Sequence, residues 1–90
     1  MVCSAVNIII HGKVQGVSFR VSTQTKASEL SIKGWVRNLP NDTVEVHAEG
    51  NHENLDKFIK WCQKGPPFAK VSKCDLEWVM PEETHGFKIL

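Results

Sequence analysis

Ninety residues, 41% of them hydrophobic and 23% charged, suit one soluble globular domain spanning 1–90, because single-core domains typically hold about 100–150 residues. A chain this short buries about 60–68% of the surface its unfolded form exposes, enough for one core and little more. Eleven Lys and Arg against ten Asp and Glu leave a formal net charge of +1, which lacks the footprint of a partner for a nucleic-acid backbone or an anionic membrane.

The longest aliphatic run is Ile8 to Ile10, far short of the roughly 20 residues of a membrane span or the 7–15 or so of a signal-peptide core. No targeting or membrane segment is therefore expected. Cys3, Cys62 and Cys74 form an odd set without Cys-x-x-Cys spacing, a poor disulfide framework and a poor metal site. They are expected as reduced thiols in a cytoplasmic protein, with Cys62 and Cys74 as small core hydrophobes. One disulfide with Cys3 left over is the alternative.

In chain order, Val6, Ile8 and Ile10 alternate with Asn7, Ile9 and His11, the period of a strand with one apolar face, and Gly12 is expected to end it. Gly12 to Phe19 has two glycines and no helical period. Thr23, Ala27 and Leu30 then fall at i, i+4 and i+7, so this loop leads into a first helix beginning near Arg20. Lys33 to Asn38 is a short strand, and Val44, Val46 and Ala48 alternate with Glu45, His47 and Glu49 as in a half-buried strand. Between these two strands, Leu39-Pro40-Asn41-Asp42 is a turn, since Pro presets φ at the second turn position and Asn and Asp tolerate the conformations of the later ones.

Leu55, Phe58, Ile59 and Cys62 lie at i, i+3, i+4 and i+7, a second helix with Asn51 as N-cap and Gly65-Pro66-Pro67 as its stop. Ala69 and Val71 alternate in one phase and Cys74, Leu76 and Trp78 in the other, a shift that a bulge produces. Phe87 and Ile89 make a short closing strand. This order predicts an α+β fold, the ferredoxin-like βαββαβ sandwich with a mostly antiparallel sheet and both helices on one face.

The segment Gly12-Lys13-Val14-Gln15-Gly16-Val17-Ser18-Phe19-Arg20 is where chemistry is expected. Glycines in a strand-to-helix loop let backbone N–H groups turn inward, and the helix start adds free amides and a positive dipole end, which together cradle an anion. Arg20 can grip two oxygens of that anion with its planar fork. Three residues separate Gly12 from Gly16, and Val17-Ser18 come next, so this is not the phosphate loop of nucleoside triphosphatases. Spacing alone is equally compatible with tight turns and a solvated arginine.

The segment closely resembles the acylphosphatase signature Gly-x-Val-Gln-Gly-Val-x-Phe-Arg, and Gly34-Trp35-Val36-Arg37-Asn38 resembles the family's Gly-x-Val-x-Asn. Length, element order, Ala27 and Leu30, the Val44-Glu45-Val46 strand and the Phe87-Lys88-Ile89 ending extend the resemblance over nearly the whole chain. It implies hydrolysis of an acyl phosphate to carboxylate and inorganic phosphate without metal or other cofactor, with phosphate as product and competitive inhibitor, by a monomer. By this similarity Arg20 holds the phosphoryl group with the amides of the Gln15, Gly16, Val17, Ser18, Phe19 and Arg20 loop, and Asn38 positions the attacking water. Arg20 and Asn38 should then reach one bound anion. Two departures stand out: Pro40-Asn41-Asp42-Thr43 lacks the usual glycine of the turn, and Val21 stands where an aromatic residue is common.

The alternative is a non-catalytic ferredoxin-like module binding an anion, a partner or RNA. Lys33-Gly34-Trp35 matches the start of an RNA-recognition motif, but Val36 and Arg37 break it. His11, His47, His52 and His85 show no metal spacing and are expected as ordinary surface residues. Trp35, Trp61 and Trp78 are expected as partly buried packing, and Glu82-Glu83-Thr84-His85 as a solvated loop.

Overall fold

The computed structural model describes residues 3–90. Its elements are β1 (Ser4–Lys13), α1 (Phe19–Glu29), β2 (Lys33–Asn38), β3 (Val44–Gly50), α2 (His52–Lys64), β4 (Lys70–Val79) and β5 (Phe87–Ile89). The strands form one sheet in the order β4-β1-β3-β2-β5. Every pairing is antiparallel except β2 with β5. This is the ferredoxin-like sandwich that the element order predicts, with the closing strand added beside β2.

The period-2 alternation of β1 builds the core. A single row crosses all five strands through the paired residues Leu76, Ile8, Val46, Val36 and Ile89. Its three central members are fully buried, while Leu76 and Ile89 at the two edges are 43% and 37% exposed. Burying an aliphatic side chain contributes roughly 1.5–3 kcal/mol, so Ile8→Asp would break the sheet at its centre.

Helix α2 forms as its spacing requires: Leu55, Phe58, Ile59 and Cys62 are buried, the Asn51 side chain accepts from the Asn54 N–H at 2.8 Å, and Gly65 closes the helix at φ 73°. Helix α1 buries Phe19, Thr23 and Ala27, and the Thr23 hydroxyl, donating to the Phe19 carbonyl at 2.7 Å, satisfies its own burial. Cys3, Cys62 and Cys74 are free thiols, exposed, buried and half-buried respectively. Burial, with Cys74 as a neighbour, pushes the Cys62 thiol well above its ordinary pKa. No helix among the described residues is long and apolar enough to cross a membrane.

Four local expectations are corrected. Strand β1 does not stop at Gly12 but continues to Lys13. Gly12 instead faces the bulge of β4, where the pairing jumps from His11↔Lys73 to Gly12↔Val71. At φ 122° a Cβ on Gly12 would overlap the Lys70 carbonyl, so this glycine permits close strand approach. Strand β3 is not half-buried: its alternate residues His47 and Glu49 are 0% and 3% exposed. The reason is tertiary, because the segment after β4 is pinned to Glu49 and covers this part of the outer sheet face. Consequently His47 is not a surface histidine, whereas Glu82 to His85 is the solvated loop expected, anchored to Glu49 through the Glu82 and Thr84 N–H groups. Finally, Trp78 lies at the β4 edge, 49% exposed, stacked on His52 with 5.1 Å between ring centroids.

Candidate functional site

The turn from β1 into α1 is held at both ends by buried apolar anchors, Val14 and Val17. Between and beyond them, Gly16 and Ser18 adopt left-handed backbone at φ 73° and φ 62°. Left-handed residues in such a run turn neighbouring N–H groups toward one side, the geometry of anion-binding nests. Ser18 occupies the N-cap of α1 yet makes no side-chain cap, and the first turn holds no acidic residue. Helix α2 has both an Asn51 cap and Glu53 in its first turn. The N–H groups from Gln15 to Val21 meet no acceptor among the described residues, since the first bond of α1 runs from the Ser22 N–H to the Ser18 carbonyl at 3.0 Å. Helix α1 therefore begins with open donors and an uncompensated positive dipole end, where an anion is stabilised.

Arg20 is exposed one residue into that helix, and its guanidinium forms no ion pair among the described residues. Asn38 ends β2. Arg20, Gly16, Ser18, Phe19 and Asn38 line one cavity of about 170 Å³, together with Val14, Val21 and Ile89. That volume is small beside the roughly 300–1,000 Å³ of sites for larger organic ligands and suits a phosphate-sized anion. Asn38 Oδ1 is the one buried side-chain oxygen or nitrogen without a hydrogen-bond partner among the described residues. Such an acceptor costs about 1–3 kcal/mol. The soft terminal torsion of an asparagine lets it rotate toward a donor that enters the cavity.

Two members of the expected phosphate loop do not line this cavity. Val17 is a core anchor, and the Gln15 side-chain amide turns the other way, donating to the Leu39 and Thr43 carbonyls at 2.9 Å each. Gln15 thereby ties the loop to the β2–β3 turn, whose first strand ends in Asn38. That turn closes without glycine because Asp42 itself takes the left-handed conformation at φ 68°. The Leu39 N–H donates to the Thr43 carbonyl at 2.9 Å, and Asn41 Oδ1 accepts from the Thr43 N–H and hydroxyl. Sequence reasoning missed Val14, Val21 and Ile89 as lining residues. Ile89 reaches the cavity only because β5 pairs with β2, with Val36 opposite Ile89, a contact that no local pattern announces.

On the outer face of the sheet, His47 Nε2 lies 2.7 Å from Glu49 Oε2 and 3.7 Å from Glu82 Oε1, the one grouping among the described residues compact enough for a metal. Both Glu49 oxygens are already used. Glu49 Oε2 accepts from the Glu82 N–H and faces His47, while Oε1 accepts from the Thr84 N–H and hydroxyl at 3.0 Å each. Burial raises the Glu49 pKa, but the hydrogen bonds from His47, Glu82 and Thr84 outweigh it and hold the carboxyl below its ordinary value. The cluster is thus a hydrogen-bonded pin between β3 and the segment leading to β5. His47 also stacks on Trp35 at 5.6 Å between centroids, and the Arg37 guanidinium sits 5.4 Å from the centre of the Trp35 ring.

The fold and this arrangement define a small ferredoxin-like domain whose first helix opens onto an anion-sized cavity. Comparison with known proteins narrows the class. The sequence pattern of the acylphosphatase family matches residues 6–89. The chain is 50% identical over 82 residues to an acylphosphatase of Acaryochloris marina, covering 91% of this chain and 88% of that one. It is 46% identical over 81 residues to that of Thermococcus kodakarensis, covering 90% and 89%. The crystal structure of acylphosphatase from Bacillus subtilis superposes with a TM-score of 0.94 at 35% identity, covering 97% of this chain and 98% of that one. The chain belongs to the acylphosphatase family.

Proposed function

We propose that Arg20 and the open amides of the Gln15 to Arg20 loop hold the phosphoryl group, and that Asn38 orients the attacking water, in the reaction of this family, the hydrolysis of acyl phosphates. What supports this reading is one observation: Arg20, the uncapped helix start and Asn38, whose buried side-chain oxygen has no partner among the described residues, line a single cavity. The amides of Gly16 and Ser18 to Arg20 face the anion directly. Gln15 and Val17 serve by holding the loop in place.

The chemistry fits so sparse a set of groups. Water attacks phosphorus, forming a new P–O bond as the bond between phosphorus and the acyl oxygen breaks. The electron pair leaves with a carboxylate whose conjugate acid has a pKa of about 4, so no general acid is required at neutral pH. The water's proton passes to a phosphoryl oxygen, giving carboxylate and dihydrogen phosphate. Arg20 and the amides stabilise charge on the equatorial oxygens, which is most of what phosphoryl transfer asks of a protein. The Asn38 amide is neutral, so its oxygen aligns the water by accepting a hydrogen bond rather than by abstracting the proton.

In this reading residues 1–90 act as one domain and as a monomer, in the cytoplasm, where free thiols persist. The substrate is a small molecule, and the nearly balanced charge supports that over a nucleic acid. The test is hydrolysis of benzoyl phosphate with a chelator present. Arg20→Ala and Asn38→Ala should each lower kcat/KM by about 10²–10³, the scale of losing one transition-state contact, with folding retained. Inorganic phosphate should inhibit competitively. Unchanged turnover in either variant removes that residue from the mechanism.

A further inference from the structure

We propose that Gln24, which lies outside both signature segments, is a positioning residue for the hydrolysis: its side-chain amide holds the wall of the cavity that binds the phosphoryl group against the wall that carries the attacking water. This rests on the preceding reading of Arg20 and Asn38.

The two walls come from different parts of the fold. Gly16, Ser18, Phe19 and Arg20 belong to the loop after β1 and the start of α1, whereas Asn38 ends β2 and Ile89 belongs to β5. Among the described residues, only two side chains of that loop or of α1 form hydrogen bonds to β2, β5 or the turn between β2 and β3, and both are glutamines. Gln15 ties the loop to the turn beyond Asn38. Gln24 Nε2 donates to the Phe87 carbonyl at 2.9 Å, which ties α1 to β5. Gln24 follows Arg20 by about one helical turn, so the two side chains share a face of α1. Phe87 and Ile89 are alternate residues of one strand, so their side chains share a face of the sheet.

Strand β5 has little else to set its distance from α1. It is three residues long, lies at the sheet edge and pairs in parallel with β2 alone, and parallel pairing is the weaker kind. Phe87 packs against Phe58 of α2 with ring centroids 6.1 Å apart, and the Leu90 N–H donates to the Val36 carbonyl at 2.9 Å. These contacts fix β5 to α2 and β2. The Gln24 bond is the one hydrogen bond among the described residues that joins it to α1.

Because the walls do different work, losing this tie has a distinct signature. Arg20 and the loop amides all lie on the α1 side and move as a unit, so anion affinity survives without Gln24. The water sits on Asn38, on the other side, and in-line attack depends on how the two sides are set against each other. Turnover therefore falls while phosphate binding stays.

The experiment measures kcat for benzoyl phosphate, the Ki of inorganic phosphate and thermal unfolding in wild type, Gln24→Met and Gln24→Ala. Gln24 is half-buried, and Met and Ala are strong helix formers, so both variants should fold; Met keeps the length of the side chain without its donor. In both, kcat should fall about tenfold, the scale of a small misalignment of reacting groups, while Ki stays within about twofold of wild type. A kcat within about twofold of wild type in the folded variants would overturn the proposal. So would a Ki that rises in step with the loss of turnover, since Gln24 would then act on the anion site itself. Arg20→Ala separates this from the underlying reading: it should raise Ki, and an unchanged Ki there would fail the phosphate site whatever Gln24 does.

Discussion

The Gln15 side-chain amide donates to the Thr43 carbonyl across 2.9 Å, joining the loop that precedes α1 to the turn between β2 and β3. The two signature segments, far apart in sequence, are locked to each other by this bond and its twin to Leu39. Gln15→Ala removes both of these bonds, although each carbonyl keeps a backbone donor, the Leu39 N–H on Thr43 and the Asp42 N–H on Leu39. We expect stability to fall by about 1–2 kcal/mol and kcat/KM by about tenfold or more, because small misplacements of aligned groups are costly. Gln15→Glu, which sets a carboxylate against two carbonyls, should be worse in both respects. Parallel urea titrations and steady-state kinetics check this, and a Gln15→Ala enzyme with full activity would show that the tie does not position the site.

Asn38 is expected to trade stability for function. Its buried oxygen has no partner, so Asn38→Ala should remove an unsatisfied group and leave the fold equally stable or up to about 1 kcal/mol more stable. Turnover should collapse in the same protein. A marked loss of stability in Asn38→Ala would mean that the amide is structurally satisfied.

The glycine-free turn makes a narrower prediction. Because Asp42 already sits at φ 68°, a region that Asp tolerates and glycine adopts freely, Asp42→Gly should change stability by less than about 1 kcal/mol and leave kcat intact. Asp42→Val, β-branched in the same conformation, should cost about 1–2 kcal/mol. Thermal unfolding of the two variants distinguishes them.

Glu49 predicts an acid limb of stability. Its carboxyl is held below the ordinary value of 4.5 in the folded chain, so its contribution is fully present above about that pH. It is lost as pH falls through the lower folded value, since the unfolded chain then binds the proton more readily. Glu49→Gln should lower stability at neutral pH by about 2 kcal/mol, the scale of losing hydrogen bonds to a charged group. It should also flatten the decline below pH 4.5. Urea midpoints between acid and neutral pH measure both, and an unflattened limb would assign it to other carboxyls.

The sequence by itself determined the elements whose information is local. Helix α2 could be drawn from Leu55, Phe58, Ile59 and Cys62 with Asn51 and Gly65 at its ends. The strand periods likewise placed Ile8 and Val46 in the core. Periodicity and capping carry these because they depend on neighbours within a turn or two of the chain, whereas Arg20 and Asn38 stood out only through the resemblance of their two segments to a family's signatures. Only the tertiary structure decided what depends on distant partners: that Gln15 faces a turn rather than the anion, that Ile89 reaches the cavity beside Asn38, and that the outward positions His47 and Glu49 are buried. The alternation of β3 was legible, but a strand pattern records which face each residue points to. Whether that face meets water is set by a segment more than thirty residues away, where the Thr84 N–H and hydroxyl close on Glu49.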